Sequence, residues 1–126
     1  MLTLSCSQNI NVSENLEGDW NVFYVIHDDV NHLQNYNNRS LMTGWLKIGK
    51  KGLFIIDNLE GVRFEGEITQ SSKDSLTIKN ANKDFLNGKY LIQLDHKNKE
   101  KAILNLNSKN VEIYAEKSTT DFSKFQ

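Results

Sequence analysis

Histidine and carboxylate side chains crowd together at one point of the chain, His27-Asp28-Asp29 followed by His32. Imidazole and carboxylate ligands suit zinc, but a site needs three or four of them to converge. The run closes an apolar stretch that begins at Trp20, so it reads as a strand end opening into a polar loop with solvated acids. No metal is expected there. Glu65 and Glu67 share one face of one strand, about 6–7 Å apart at ordinary strand rise. Paired carboxylates carry out glycoside hydrolysis, yet alternate acids on one strand are also what a solvent-facing side looks like, and no aromatic platform accompanies these. Gly49-Lys50-Lys51-Gly52 lacks the following Ser or Thr and helix that a phosphate cradle requires, and reads as a turn. His96, among Asp95, Lys97, Lys99, Glu100 and Lys101, reads as a hairpin-tip residue. A Gly-x-Ser-x-Gly elbow, a His-Glu-x-x-His pair and a calcium loop do not occur. The expectation is a protein that is not an enzyme, with no catalytic residue and no cofactor.

The elements that position these side chains are strands. From Trp20 onward the dominant period is two: Trp20, Val22, Tyr24 and Ile26 alternate with Asn21, Phe23, Val25 and His27, leaving both faces of this strand largely apolar. Leu41 to Ile48 and Leu53 to Ile56 follow. Val62, Phe64, Gly66 and Ile68 then alternate with Arg63, Glu65, Glu67 and Thr69, a half-buried strand with a charged outer face. Leu76 with Ile78, Tyr90 to Leu94, Ala102 to Leu106 and Val111 to Ala115 repeat the pattern between turn-rich separators. About eight short strands with tight connectors predict an all-β fold, an antiparallel up-and-down barrel of eight to ten strands. The aromatic residues Trp20, Phe23, Tyr24, Trp45, Phe54 and Phe64 all fall in strands, and most of them are expected in the core.

With 126 residues the chain fits one domain, expected over residues 16–117, after a flexible lead at 1–15 and before a tail at 118–126 that carries Phe122 and Phe125. A net charge of −1 argues against a nucleic-acid partner. No apolar run reaches the ~18–20 residues of a spanning helix, and a single cysteine excludes an internal disulfide and a Cys-rich zinc site. Sixteen asparagines make the two Asn-x-Ser sequons, at Asn11 and Asn38, expected by accident.

Leu16-Glu17-Gly18-Asp19-Trp20 resembles the opening strand of lipocalin-like proteins, with the pair Gly18 and Trp20 standing as that family's Gly-x-Trp. The resemblance implies that Trp20 closes the bottom of the barrel and that Gly18 lets the chain enter beneath it. Gly88-Lys89-Tyr90-Leu91-Ile92 and Val111-Glu112-Ile113-Tyr114 look like the short lipocalin-like domains of lipoproteins in Bacteroidetes-type bacteria. The Thr-Asp-Tyr motif and the late Arg of larger lipocalins do not occur. Upstream, Leu2-Thr3-Leu4-Ser5-Cys6 resembles the end of a lipobox, without a charged front and with only a stub of the apolar region. That resemblance implies a start further upstream, a lipid on Cys6, and a membrane association made by that lipid alone. Ser7 to Asn11 lacks the acidic pair of a surface-export signal, so the expected address is the periplasmic side of the outer membrane. Asp74-Ser75-Leu76 resembles the O-glycosylation pattern of some of these bacteria, which makes Ser75 an expected acceptor.

Two functions compete on this reading, and the first is the one expected. The first is a monomeric, lipid-anchored barrel that holds a small apolar or amphipathic ligand, using Tyr24, Leu33, Tyr36, Arg39 and Trp45, with the long connector Asp28–Arg39 as a lid. The second is a partner of another envelope protein, an inhibitor of a wall-degrading enzyme or an immunity protein to a toxin, working through its loops. An open interior of ~300–1,000 Å³ favours the first and a filled one the second. Replacing residues 30–38 by a Gly-Ser link is expected to leave thermal stability nearly unchanged and to abolish binding.

Overall fold

A computed structural model of the chain describes residues 12–34, 39–58, 60–98 and 101–118. Among the described residues the regular elements are β1 (Gly18–His27), β2 (Val30–Asn31), β3 (Gly44–Ile48), β4 (Leu53–Asn58), β5 (Arg63–Ser72), β6 (Ser75–Lys79), β7 (Gly88–Asn98), β8 (Lys101–Asn107) and β9 (Val111–Ser118). A 3-10 turn at Asp84–Leu86 precedes β7. From β3 to β9 each strand pairs antiparallel with its successor. Strand β1 takes β3 on one edge and β9 on the other. The result is a closed, eight-stranded, up-and-down barrel with the two-residue β2 added beside β1. It is an all-β architecture consistent with a lipocalin-like barrel.

Closure depends on the period of two. In β3 Gly44, Leu46 and Ile48 turn inward while Trp45 and Lys47 turn out. In β8 Ala102, Leu104 and Leu106 form the inner row. Strand β1 departs from strict alternation. Val22 pairs with Ala115 and Tyr24 with Tyr114, so Phe23 is an extra residue, a β-bulge that advances the phase by one. Trp20 and Val22 point inward before it, and Val25 after it. The two apolar faces read from this strand are therefore one inner face whose phase shifts at Phe23, and Phe23 and Tyr24 come out of the core reading.

The interior is filled by its own side chains. Leu46, Phe54, Ile56, Leu76, Ile78, Tyr90, Leu104 and Leu106 are each 0% exposed and belong to one contiguous cluster. A void wide enough for water would leave accessible area on its walls, and these walls have none. Burial of this kind stabilises by about 1.5–3 kcal/mol per large apolar side chain.

Both ends are stopped by the chain itself. Below, residues 12–17 run under the opening. Val12 and Leu16 are buried, the Val12 N–H donates to Lys50 O, and the Trp20 Nε1–H donates to Leu16 O at 2.9 Å. Residues 12–15, expected in a flexible lead over 1–15, are thus part of the fold, and residues 1–11, with Cys6, lie outside the described residues. Gly18 has φ +128°, a conformation that disfavours a side chain, and an added Cβ would stand 3.1 Å from Lys117 Nζ. Lys117 lies 4.5 Å over the Trp20 ring and donates to Glu17 O, so a cation from the last strand covers the Gly18–Trp20 motif.

Above, the connector after β1 is built into the fold. Asn31 Oδ1 accepts from the N–H groups of Val25 and Leu33, Asn58 Nδ2 donates to Leu33 O, and Leu33 is buried in the core cluster. This corrects the expectation that residues 30–38 can be exchanged without loss of stability. The strand read from Leu41 begins at Gly44, because an added Cβ at 44 would lie 2.2 Å from Asp57 O and only glycine lets β4 approach so closely.

Candidate functional site

The bulge in β1 creates the most distinctive surface of the barrel. With Phe23 and Tyr24 both outside, Tyr24 stacks on Tyr114 of β9 (5.4 Å between centroids, 14° between planes) and Phe23 meets the same ring edge-on at 5.5 Å. Arg39 reaches back from the connector to lie 5.6 Å over Tyr24. The phenols are held by carboxylates one step along β9: Tyr24 Oη donates to Glu112 Oε2 at 2.9 Å and Tyr114 Oη to Glu116 Oε2 at 2.8 Å. Burial, followed by the neighbouring carboxylate, pushes each phenol up to about 12. Both rings are therefore neutral hydrogen-bond donors at ordinary pH, with faces fixed by stacking.

Trp45 extends this face. It sits on β3 opposite Asn21 of β1, which in turn faces Glu116 of β9, and its side is 44% exposed. Leu41 and Met42, also exposed, immediately precede Thr43, which is tied to this part of β1 by its N–H to Val22 O and its hydroxyl to Phe23 O. An outer wall of Trp45, Phe23, Tyr24 and Tyr114 thus stands next to Leu41, Met42 and Arg39. Scattered apolar residues on a surface need no explanation, but a run of rigid aromatics with an Arg is the composition of binding hot spots.

Of the residues expected at a site, the structure brings Tyr24 and Arg39 together and places Trp45 on the same wall, outside the core where it was expected. Leu33 is corrected: it is 3% exposed and anchors the connector instead of facing a partner. Tyr36 lies outside the described residues. Ser75 is corrected too. It is 8% exposed, and its hydroxyl is engaged by Ser71 Oγ at 2.8 Å and Ser72 Oγ at 3.1 Å, so it is not displayed on a turn surface as expected. Phe23 and Tyr114 were missed. The signal was present as two adjacent aromatics between Val22 and Val25, a break in alternation that marks a bulge.

At the upper end His27 and His32 pack against Phe85 at 4.5 and 4.6 Å, with 5.7 Å between the two imidazoles. Burial, then the nearby His27, lowers the pKa of His32. The pair is thus packed as aromatic surface. Among the described residues no three His, Cys, Asp or Glu side chains form a metal-binding group. Glu65 is held by the Arg63 Nε–H at 2.7 Å and Glu67 accepts from Asn80 Nδ2, both on the solvent side.

Comparison of the chain with protein-family models, with curated proteins and with solved structures gave no match. What the molecule is for must be argued from its surface.

Proposed function

We propose that this protein is a binding module for another protein, engaged through the outer wall of β3, β1 and β9. The observation that carries the reading is the outer aromatic face formed by exposed Trp45 and half-buried Phe23, Tyr24 and Tyr114, with exposed Arg39 beside it. The filled interior supports the same choice, since the fully buried side chains that line the barrel leave no accessible area for a ligand among them. Tyr24 and Tyr114 are locked before any partner arrives, so little ordering entropy opposes binding. An envelope partner, and an anchor at Cys6, follow from the sequence resemblance. An inhibitor of a wall-degrading enzyme or an immunity protein fits that setting.

A photo-crosslinking side chain placed at Trp45 should trap one protein in the host, and the same group at Thr69, exposed on the far wall, should not. Trp45→Ala should leave the melting temperature nearly unchanged, as surface substitutions do to within about 0.5 kcal/mol, while weakening the captured complex at least tenfold. Equal trapping from both positions, or a small apolar molecule retained one-to-one inside the barrel, would sink the proposal.

A further inference from the structure

The barrel wall is incomplete along β7. Strand β6 pairs with β7 only between Ser75↔Leu91 and Ile78↔Gly88, and the last bond joining them is Ile92 N–H to Asp74 O at 2.8 Å, while β7 runs on to Asn98. Alternate residues of an antiparallel strand turn their backbone groups to alternate neighbours. Ile92 turns toward β6, so Leu94 and His96 turn to the same side, where among the described residues no strand pairs with them. Two concavities meet at this edge. A recess of about 310 Å³ is lined by the apolar Leu16, Ile92 and Leu94 and by the polar Ser13, Asn15 and Lys73. A groove of about 650 Å³ continues over the outer face past Asp95 and Ile103 to Tyr114. They share Asp74, Ile92 and Leu94. The groove's charged walls are Asp74 and Asp95, both exposed, and neither is in an ion pair among the described residues.

We propose that this edge accepts an extended, cationic segment of a partner protein as an added strand. Backbone bonds to Leu94 and His96 would give it register. Alternate side chains of an added strand fall on opposite faces. Apolar ones would enter the recess against Leu16, Ile92 and Leu94, and basic ones would stand outside toward Asp74 and Asp95. The partner's signature is therefore a basic–apolar alternation. This edge goes beyond the aromatic wall and does not depend on it.

Amide hydrogen exchange of the full chain tests it, with Lys-Val-Lys-Val-Lys-Val-Lys as the probe and Glu-Val-Glu-Val-Glu-Val-Glu as the counterpart. At about ten times its Kd the lysine peptide should slow exchange at the Leu94 amide roughly tenfold, and the glutamate peptide should not. Asp95→Lys, or Asp74→Lys, should reverse that preference, while Trp45→Ala should leave it intact. Unchanged exchange at Leu94 with the lysine peptide overturns the proposal. So does equal slowing by both peptides, or lysine-peptide binding that survives both reversals.

Discussion

Leu33 and His32 are neighbours in a polar connector, and each makes a separate, measurable demand on stability. Leu33 fills the top of the core, so Leu33→Ala should cost about 2–5 kcal/mol, read from denaturant midpoints. His32 has a folded pKa below its ordinary 6.5, because burial and His27 both oppose its charge. The unfolded chain then takes up the proton first. The contribution of neutral His32 is fully present above about pH 6.5 and is lost as pH falls through the lower folded value. Melting temperature should therefore decline on acidification through that window, and His32→Gln should flatten the decline. An unchanged slope in that variant would remove the claim. At the other end of the scale, Tyr24 and Tyr114 should show phenolate absorbance only near pH 12, later than an ordinary tyrosine. Phe substitution at either position should subtract amplitude from that late phase.

At the level of elements, the described parts of the connector, residues 28–34 and 39–43, behave as part of the sheet. His32 N–H donates to Val25 O and Thr43 N–H to Val22 O, so the segment lines the edge of β1 that β3 does not reach. Replacing residues 30–38 by Gly and Ser should lower the melting temperature by ~10 °C or more, since it removes Leu33 and the Asn31 bonds together. The strands themselves were legible because one face of each is apolar and period two survives in β3, β4, β5 and β8. What escaped reading was everything decided by contacts between distant residues. Nothing local in Phe23-Tyr24 says which of them is the extra residue; Tyr114, 90 positions away, pairs with Tyr24 and decides it. Trp45 looked like core because tryptophan usually is, but its phase in β3 sends it outside. Ser75 sits in a sequence that suggests a turn surface, yet the neighbouring bulge at Ser71 folds two hydroxyls over it.

For the molecule as a whole, a closed barrel has no free edge between β9 and β1 and must instead seal its two open ends. The lower seal is six residues of irregular chain. Val12 and Leu16 are its apolar contacts, and its polar ties are Val12 N–H to Lys50 O, Ser13 N–H to Gln70 Oε1 and Lys117 Nζ to Glu17 O. Trp20 depends on it twice, through its Nε1–H bond to Leu16 O and through the cover Leu16 gives its end of the core. Truncation therefore has an asymmetric outcome. A chain beginning at Val12 keeps every one of these contacts, whereas one beginning at Glu17 loses two buried side chains and leaves a buried indole N–H without its acceptor. Burial contributes about 1.5–3 kcal/mol for each side chain, and the orphaned donor costs about 1–3 kcal/mol more. At ~4 °C or more per kcal/mol for a domain near a hundred residues, the second chain should melt at least ~16 °C below the first. Trp20 fluorescence should shift to the red as water reaches the indole. Equal melting temperatures for the two chains would mean that the barrel closes beneath Trp20 without residues 12–16, and that the seal is an accessory of the fold and not one of its conditions.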